Sequence, residues 1–141
     1  MKFKTEKQIR KHLMGLLLAA LMIVGCCQMP AYAASYKTGK LNGVTVTASI
    51  TISSSSATAK TTGGGGSITA TARVDYWFNS THYYTTATSY STGGGTTVTA
   101  TKKRGGAEVT GGKGTHKVVS GDYTWNTTTQ TGTIYSSATK E

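Results

Sequence analysis

Arg73, Asp75 and Trp77, followed by His82 and Tyr84, put a cation, a carboxylate, an imidazole and two large rings into one short stretch, RVDYWFNSTHYY. Aromatic rings with hydroxyl and charged neighbours can stack on sugar rings or settle at a membrane interface, where one side of the ring is apolar and the other wet. These five residues are the candidate ligand-binding set. The alternative is that Trp77 is a structural residue covered by a second sheet or a loop.

Catalysis finds less support. Residues 34–141 hold two His, His82 and His116, and four acids, Asp75, Glu108, Asp122 and Glu141. No Ser stands in the G-x-S-x-G turn that exposes a hydrolase nucleophile. A glycosidase needs two carboxylates flanking a cleft, and nothing in the spacing of Asp75 with Glu108 or Asp122 brings such a pair together. Metal-ligating spacing at i, i+2 or i, i+4 is also missing, and isolated His residues in Thr-rich strands are expected to be solvated. The expectation is a non-enzymatic protein without a metal or cofactor.

Lys102-Lys103-Arg104, followed by Gly105-Gly106, is the densest positive spot. At a hairpin tip, with Lys113 and Lys117 near it, this segment would meet an anionic surface; the alternative is an ordinary solvated turn. The glycine runs do not make a phosphate-cradling loop, which needs a Lys followed by Ser or Thr at a helix start. Gly66 instead leads into Ser67-Ile68 and another strand. Thr-x-Thr motifs begin at Thr45, Thr69, Thr86, Thr97 and Thr99, too irregularly for the flat repeated array of an ice-binding face.

The elements that must carry these residues are strands. Val44, Val46, Ala48, Ile50 and Ile52 alternate with Thr45, Thr47, Ser49 and Thr51. Ile68, Ala70, Ala72, Val74, Tyr76 and Phe78 alternate with Thr69, Thr71, Arg73, Asp75 and Trp77. Successive strand side chains point to opposite faces, so each run turns an apolar row inward and a hydroxyl row outward. Tyr76 and Phe78 therefore belong to the core, and Trp77 to the other face. If Asn79-Ser80 is a two-residue turn, Trp77 pairs with His82 and Asp75 with Tyr84. A four-residue loop pairs Trp77 with Tyr84, and a three-residue loop pairs it with Tyr83. Opposed residues share a face, so every register gives Trp77 an aromatic partner.

Turn chemistry separates the strands. Asn42-Gly43 suits a tight type I′ hairpin, whose two central residues take positive φ. Gly63 to Gly66, Gly93 to Gly95, Gly105-Gly106, Gly111-Gly112 and Gly121-Asp122 punctuate the rest. An internal repeat relates ATAKTTGGG, from Ala57, to ATSYSTGGG, from Ala87, and the strands that follow correspond as well. The repeat reads as two strand–glycine loop–strand hairpins with antiparallel neighbours. The fold class expected is all-β: one small antiparallel β-sandwich, or a small barrel, of Gly-linked hairpins over residues 34–141.

Residues 1–33 are set apart from that domain. Lys2, Lys4, Lys7, Arg10 and Lys11 precede an apolar run from Leu13 to Gly25, and the segment ends Pro30-Ala31-Tyr32-Ala33. Basic head, short apolar middle and small-x-small end are the parts of a cleaved signal peptide. The segment resembles the signal peptides of Gram-positive bacteria. Ile23-Val24-Gly25-Cys26 also resembles a bacterial lipobox, which would make Cys26 a lipid anchor instead. Both Cys, Cys26 and Cys27, fall here, so residues 34–141 have no disulfide and no thiol ligand.

Beyond residue 33 the chain has ten Lys and Arg against four acids. Outside a cell that surplus favours teichoic acids, acidic glycans or lipid headgroups; nucleic acid is not expected, for want of any reading motif. It also serves simply to keep a Thr-rich sheet soluble. Together these features predict a secreted binding protein at or outside a bacterial cell envelope. It would recognise a glycan or anionic surface through the aromatic face and the basic loop. A small bacteriocin-type antimicrobial or toxin-like protein fits the same size, charge and export, as does a structural surface component.

Overall fold

The computed structural model describes residues 34–141, which form nine strands and no helix. The expected signal peptide and the lipobox at Cys26 lie outside the described residues. The strands are β1 (Ala34–Leu41), β2 (Val44–Ile52), β3 (Ser56–Thr62), β4 (Ser67–Phe78), β5 (Thr81–Ser91), β6 (Gly95–Thr101), β7 (Glu108–Ser120), β8 (Tyr123–Gly132) and β9 (Thr139–Lys140). They build two separate sheets, β1-β2-β3-β6 and β8-β7-β4-β5-β9, so the architecture is a sandwich rather than a closed barrel. All pairs are antiparallel except β5 with the short β9.

Two of the tight turns follow the sequence. Asn42 and Gly43 take φ of 48° and 78°, and Asn79 and Ser80 take 45° and 61°. Both pairs are type I′ hairpins, whose twist matches that of the strands they join. The second fixes the two-residue register, with Trp77 opposite His82 and Asp75 opposite Tyr84.

The glycine repeat behaves differently from the hairpin expectation. β3 does not pair with β4, nor β5 with β6; β3 pairs with β6 and β4 with β5. Each glycine loop carries the chain from one sheet to the other, and the two crossings run in opposite senses. Stacked sheets lie about 10 Å apart, against less than 5 Å between paired strands, so a crossing needs a longer, bendable connection. Gly63–Gly66 and Gly93–Gly94 supply it.

These crossings, with Asn42-Gly43 and Gly121-Asp122, gather at one end of the sandwich. The opposite end carries the connections 53–55, 79–80, 102–107 and 133–138.

Alternation decides the core. Val46, Ala48 and Ile50 of β2 and Ile68, Ala70, Ala72, Val74 and Tyr76 of β4 are fully buried. They fall into two apolar clusters, one around Ile50, Val74 and Tyr76 and one around Val46, Ile68 and Val118. Between the clusters sits a polar layer. His116, expected in solvent, is completely buried. Its Nδ1 meets Thr61 Oγ1 of the first sheet at 2.8 Å, and its Nε2 meets Thr129 Oγ1 of the second at 2.8 Å. Lys113, Thr115 and Lys117 hold the outward row of β7, so parity turns His116 inward with Val118. Burial without a charged partner pushes its pKa down to about 4.

Trp125 of β8 closes one flank by lying against β1. A Cβ at Gly39 would overlap its indole, so only glycine permits this approach.

Candidate functional site

β4 contributes Arg73, Asp75 and Trp77 to the outer face of the five-stranded sheet, and β5 contributes His82 and Tyr84. The five candidate residues therefore share one surface, as the alternation and the turn require. Their exposure differs. Trp77 is 38% exposed, the Arg73 side chain 21%, and that of Asp75 only 1%.

The difference comes from a segment the sequence reading did not single out. A bulge at Thr110 shifts the β4–β7 register between Asp75 and Tyr76. Gly132, with φ of 68°, turns the chain there, and Thr133 N–H donates to Thr110 C=O at 2.8 Å. Gly111 and Gly132 have no room for a side chain at this crossing. Residues 133–138 then run as a strap over the outer face to β9, which adds beside Tyr83 and Tyr84.

Beneath the strap the charged pair is locked. Arg73 donates to Asp75 through Nε at 2.6 Å and Nη2 at 2.5 Å, and Nη2 also reaches the Tyr135 carbonyl at 2.9 Å. The Tyr135 N–H points at Asp75 Oδ1, 3.4 Å away. The guanidinium lies 3.9 Å from the Tyr84 ring centroid, a cation–π contact. Asp75 is thus a positioning group for Arg73 and the strap, and the expectation that it meets a ligand is corrected: Tyr135 covers it.

The rings form a continuous series. Trp77 and His82 are 4.2 Å apart between centroids and tilted by 59°, and His82 stacks on Tyr135 at 3.4 Å. This bracing fixes the indole at the open end of the series. The signal for Tyr135 was faint: an Ile134-Tyr135 pair after Gly132, in a tail otherwise rich in small polar residues.

The basic loop is less free than its composition suggests. Lys102 Nζ donates to the Ala107 carbonyl across the base of its own loop. Arg104 binds Glu141 Oε1 at 2.5 Å and stands over the rings of Tyr83 and Phe78, at 4.3 and 5.2 Å. Glu141 also accepts from Tyr76 Oη, and this bond, with that to Arg104, holds its carboxyl below the usual range. Burial, reinforced by Glu141, pushes the Tyr76 phenol up to about 12. Of the three tip cations, Lys103 is the exposed one.

β7 brings charge of both signs to the aromatic face: the exposed Glu108 stands opposite Trp77, and the positive charge lies further along the strand. Lys113 is directly opposite Arg73, and Lys117 opposite Thr69, on the same outward row. They do not cluster with the tip, contrary to expectation. Lys140 of β9 flanks Tyr84 from the other side. Among the described residues no three His, Cys, Asp or Glu side chains lie close enough to hold a metal ion.

No family model, curated protein or solved structure matches this chain.

Proposed function

We propose that this is an exported, non-enzymatic binding protein whose outer five-stranded face holds an extracellular anionic glycan or related envelope polymer. Trp77 is the stacking platform, and Lys113 and Lys117 attract the polymer's charge. One observation carries the reading: an indole more than a third exposed, braced by His82 and Tyr135, shares its sheet face with those two lysines. A braced ring loses little freedom on binding, so its contact area is converted to affinity efficiently. Enclosure of His116 between the sheets and capture of Asp75 by Arg73 favour binding over catalysis. Lys103 is the tip residue left to extend the contact.

The test is a fluorescence titration with an acidic polysaccharide and its neutral counterpart, in a Trp125→Phe background so that Trp77 alone reports. The acidic polymer is expected to shift the emission and to bind more weakly as salt rises from about 0.05 to 0.5 M. Trp77→Ala, followed by calorimetry, is expected to cost about tenfold in affinity. Equal binding of the neutral polymer removes the charge argument, and undiminished binding by Trp77→Ala removes the stacking argument.

A further inference from the structure

The four sheet edges are guarded unequally. β1 carries Lys37 and Lys40, and Lys37 stands opposite Ala48, on the row that faces inward. An inward-pointing charge on an edge discourages addition of another strand. The β5 edge is capped at its start, where β9 lies opposite Tyr83 and Tyr84 and the Glu141 N–H donates to Tyr84 C=O at 2.9 Å. Beyond it, residues 85–91 have no further strand in their sheet and are tied through Ser89 to Thr96 of β6. β6 is short, runs into Lys102, Lys103 and Arg104, and is tied to β5 by Thr96 Oγ1 donating to Ser89 Oγ at 2.8 Å.

β8 also leans on the other sheet, through Trp125 against β1, but its edge has neither a charge nor a capping strand. Its ten residues, YTWNTTTQTG, include no charge and no proline, and its only strand neighbour is β7. From inside it is held by Trp125 against Gly39 and by Thr129 against His116. On its outward row Asn126, Thr128 and Gln130 are exposed. A strand of this length at a sheet edge presents a row of unpaired N–H and C=O groups.

We infer that β8 is a self-association edge, through which two copies of this chain pair antiparallel into one ten-stranded sheet. The dyad passes through Thr127 or Thr128 and stands perpendicular to the sheet. A twofold contact must complement itself, and this strip does. With the axis at Thr128, Asn126 of one copy faces Gln130 of the other, and amides satisfy each other's donors and acceptors. Charge selects the same strip. Two strongly basic molecules approach most easily along a neutral edge, and the nearest cations, Lys113 and Lys117 of each copy, would stand about 14 Å from their counterparts across three strand spacings. That exceeds the screening length of about 8 Å at physiological salt. A foreign peptide gains the backbone bonds but not this symmetry. The interface is small, so association is reversible and concentration-dependent. It does not depend on what the aromatic face binds.

The test uses residues 34–141, which contain both sheets and the whole described core, in sedimentation over about 1 to 500 μM. The mass is expected to rise toward that of a dimer, and hydrogen exchange of β8 amides to slow with concentration while β1 and β6 stay unchanged. Thr128→Lys sets two ammonium groups face to face with the axis at Thr128, or diagonally adjacent with it at Thr127, and is expected to weaken association at least about tenfold. Gln130→Lys is expected to do the same, and Thr99→Lys on β6 to leave association intact. Circular dichroism checks that each variant remains folded. A monomer at every concentration overturns the inference. So does a dimer indifferent to both β8 lysines, or β8 protection that appears only when an extended peptide is added.

Discussion

Thr61 and His116 are 55 residues apart in the chain and 2.8 Å apart in space, and their contact joins the two sheets. Because the imidazole is buried with hydroxyl partners only, the folded state resists its protonation. Its pKa falls from 6.5 to about 4, so the unfolded chain takes up the proton first as pH drops. The stability this group contributes is complete above pH 6.5 and is lost progressively between 6.5 and 4. The loss over that window is on the order of 3 kcal/mol. Urea unfolding at pH 7.5 and 4.5 measures it, and His116→Gln, which keeps a hydrogen-bonding side chain without that titration, is expected to flatten the difference.

Asp75 supports a second expectation. Its carboxylate holds Arg73 in two bonds and faces the Tyr135 N–H, so Asp75→Asn leaves a half-buried guanidinium without its counter-ion. The cost is expected to be about 2–3 kcal/mol in urea unfolding. The strap over 133–138 should loosen with it, seen as hydrogen exchange roughly tenfold faster in that segment. An Asp75→Asn protein with unchanged stability and exchange would show that Tyr135 is held by stacking alone.

Gly39 and Trp125 make a third. On an isolated edge strand, Gly39→Val would be neutral or stabilising, since valine suits a strand better than glycine. Against the Trp125 indole it has no space, and the expected cost is about 2–3 kcal/mol. In a Trp125→Ala background the same substitution should become neutral or favourable. That sign reversal, read by denaturation of the four proteins of the cycle, isolates the contact.

The strands and the aromatic face were legible in the sequence because their rules are local. Alternation from Ile68 to Phe78 assigned Tyr76 inward and Trp77 outward, and Asn79-Ser80 admitted the register that occurs. His116 was misread as solvated although the signal was present: Lys113 and Lys117 define an outward row that excludes it. The glycine repeat misled because a loop's composition gives its flexibility, not which sheet receives the next strand; that depends on distant partners, such as Thr58 with Thr99, 41 residues away. The strap was hidden for a similar reason. Its course is set by the bulge at Thr110 meeting the turn at Gly132, and neither residue announces the other.

The segregation of connections has a practical consequence. Gly43, Gly65 and Gly94 have positive φ and empty space where a Cβ would lie, at the end remote from Trp77 and Lys103. Backbone there is exposed and short of side-chain contacts, the setting in which inserted sequence is best tolerated. A linker or dye grafted at Gly94 would moor the molecule by its blunt pole and leave the indole pointing away from the support.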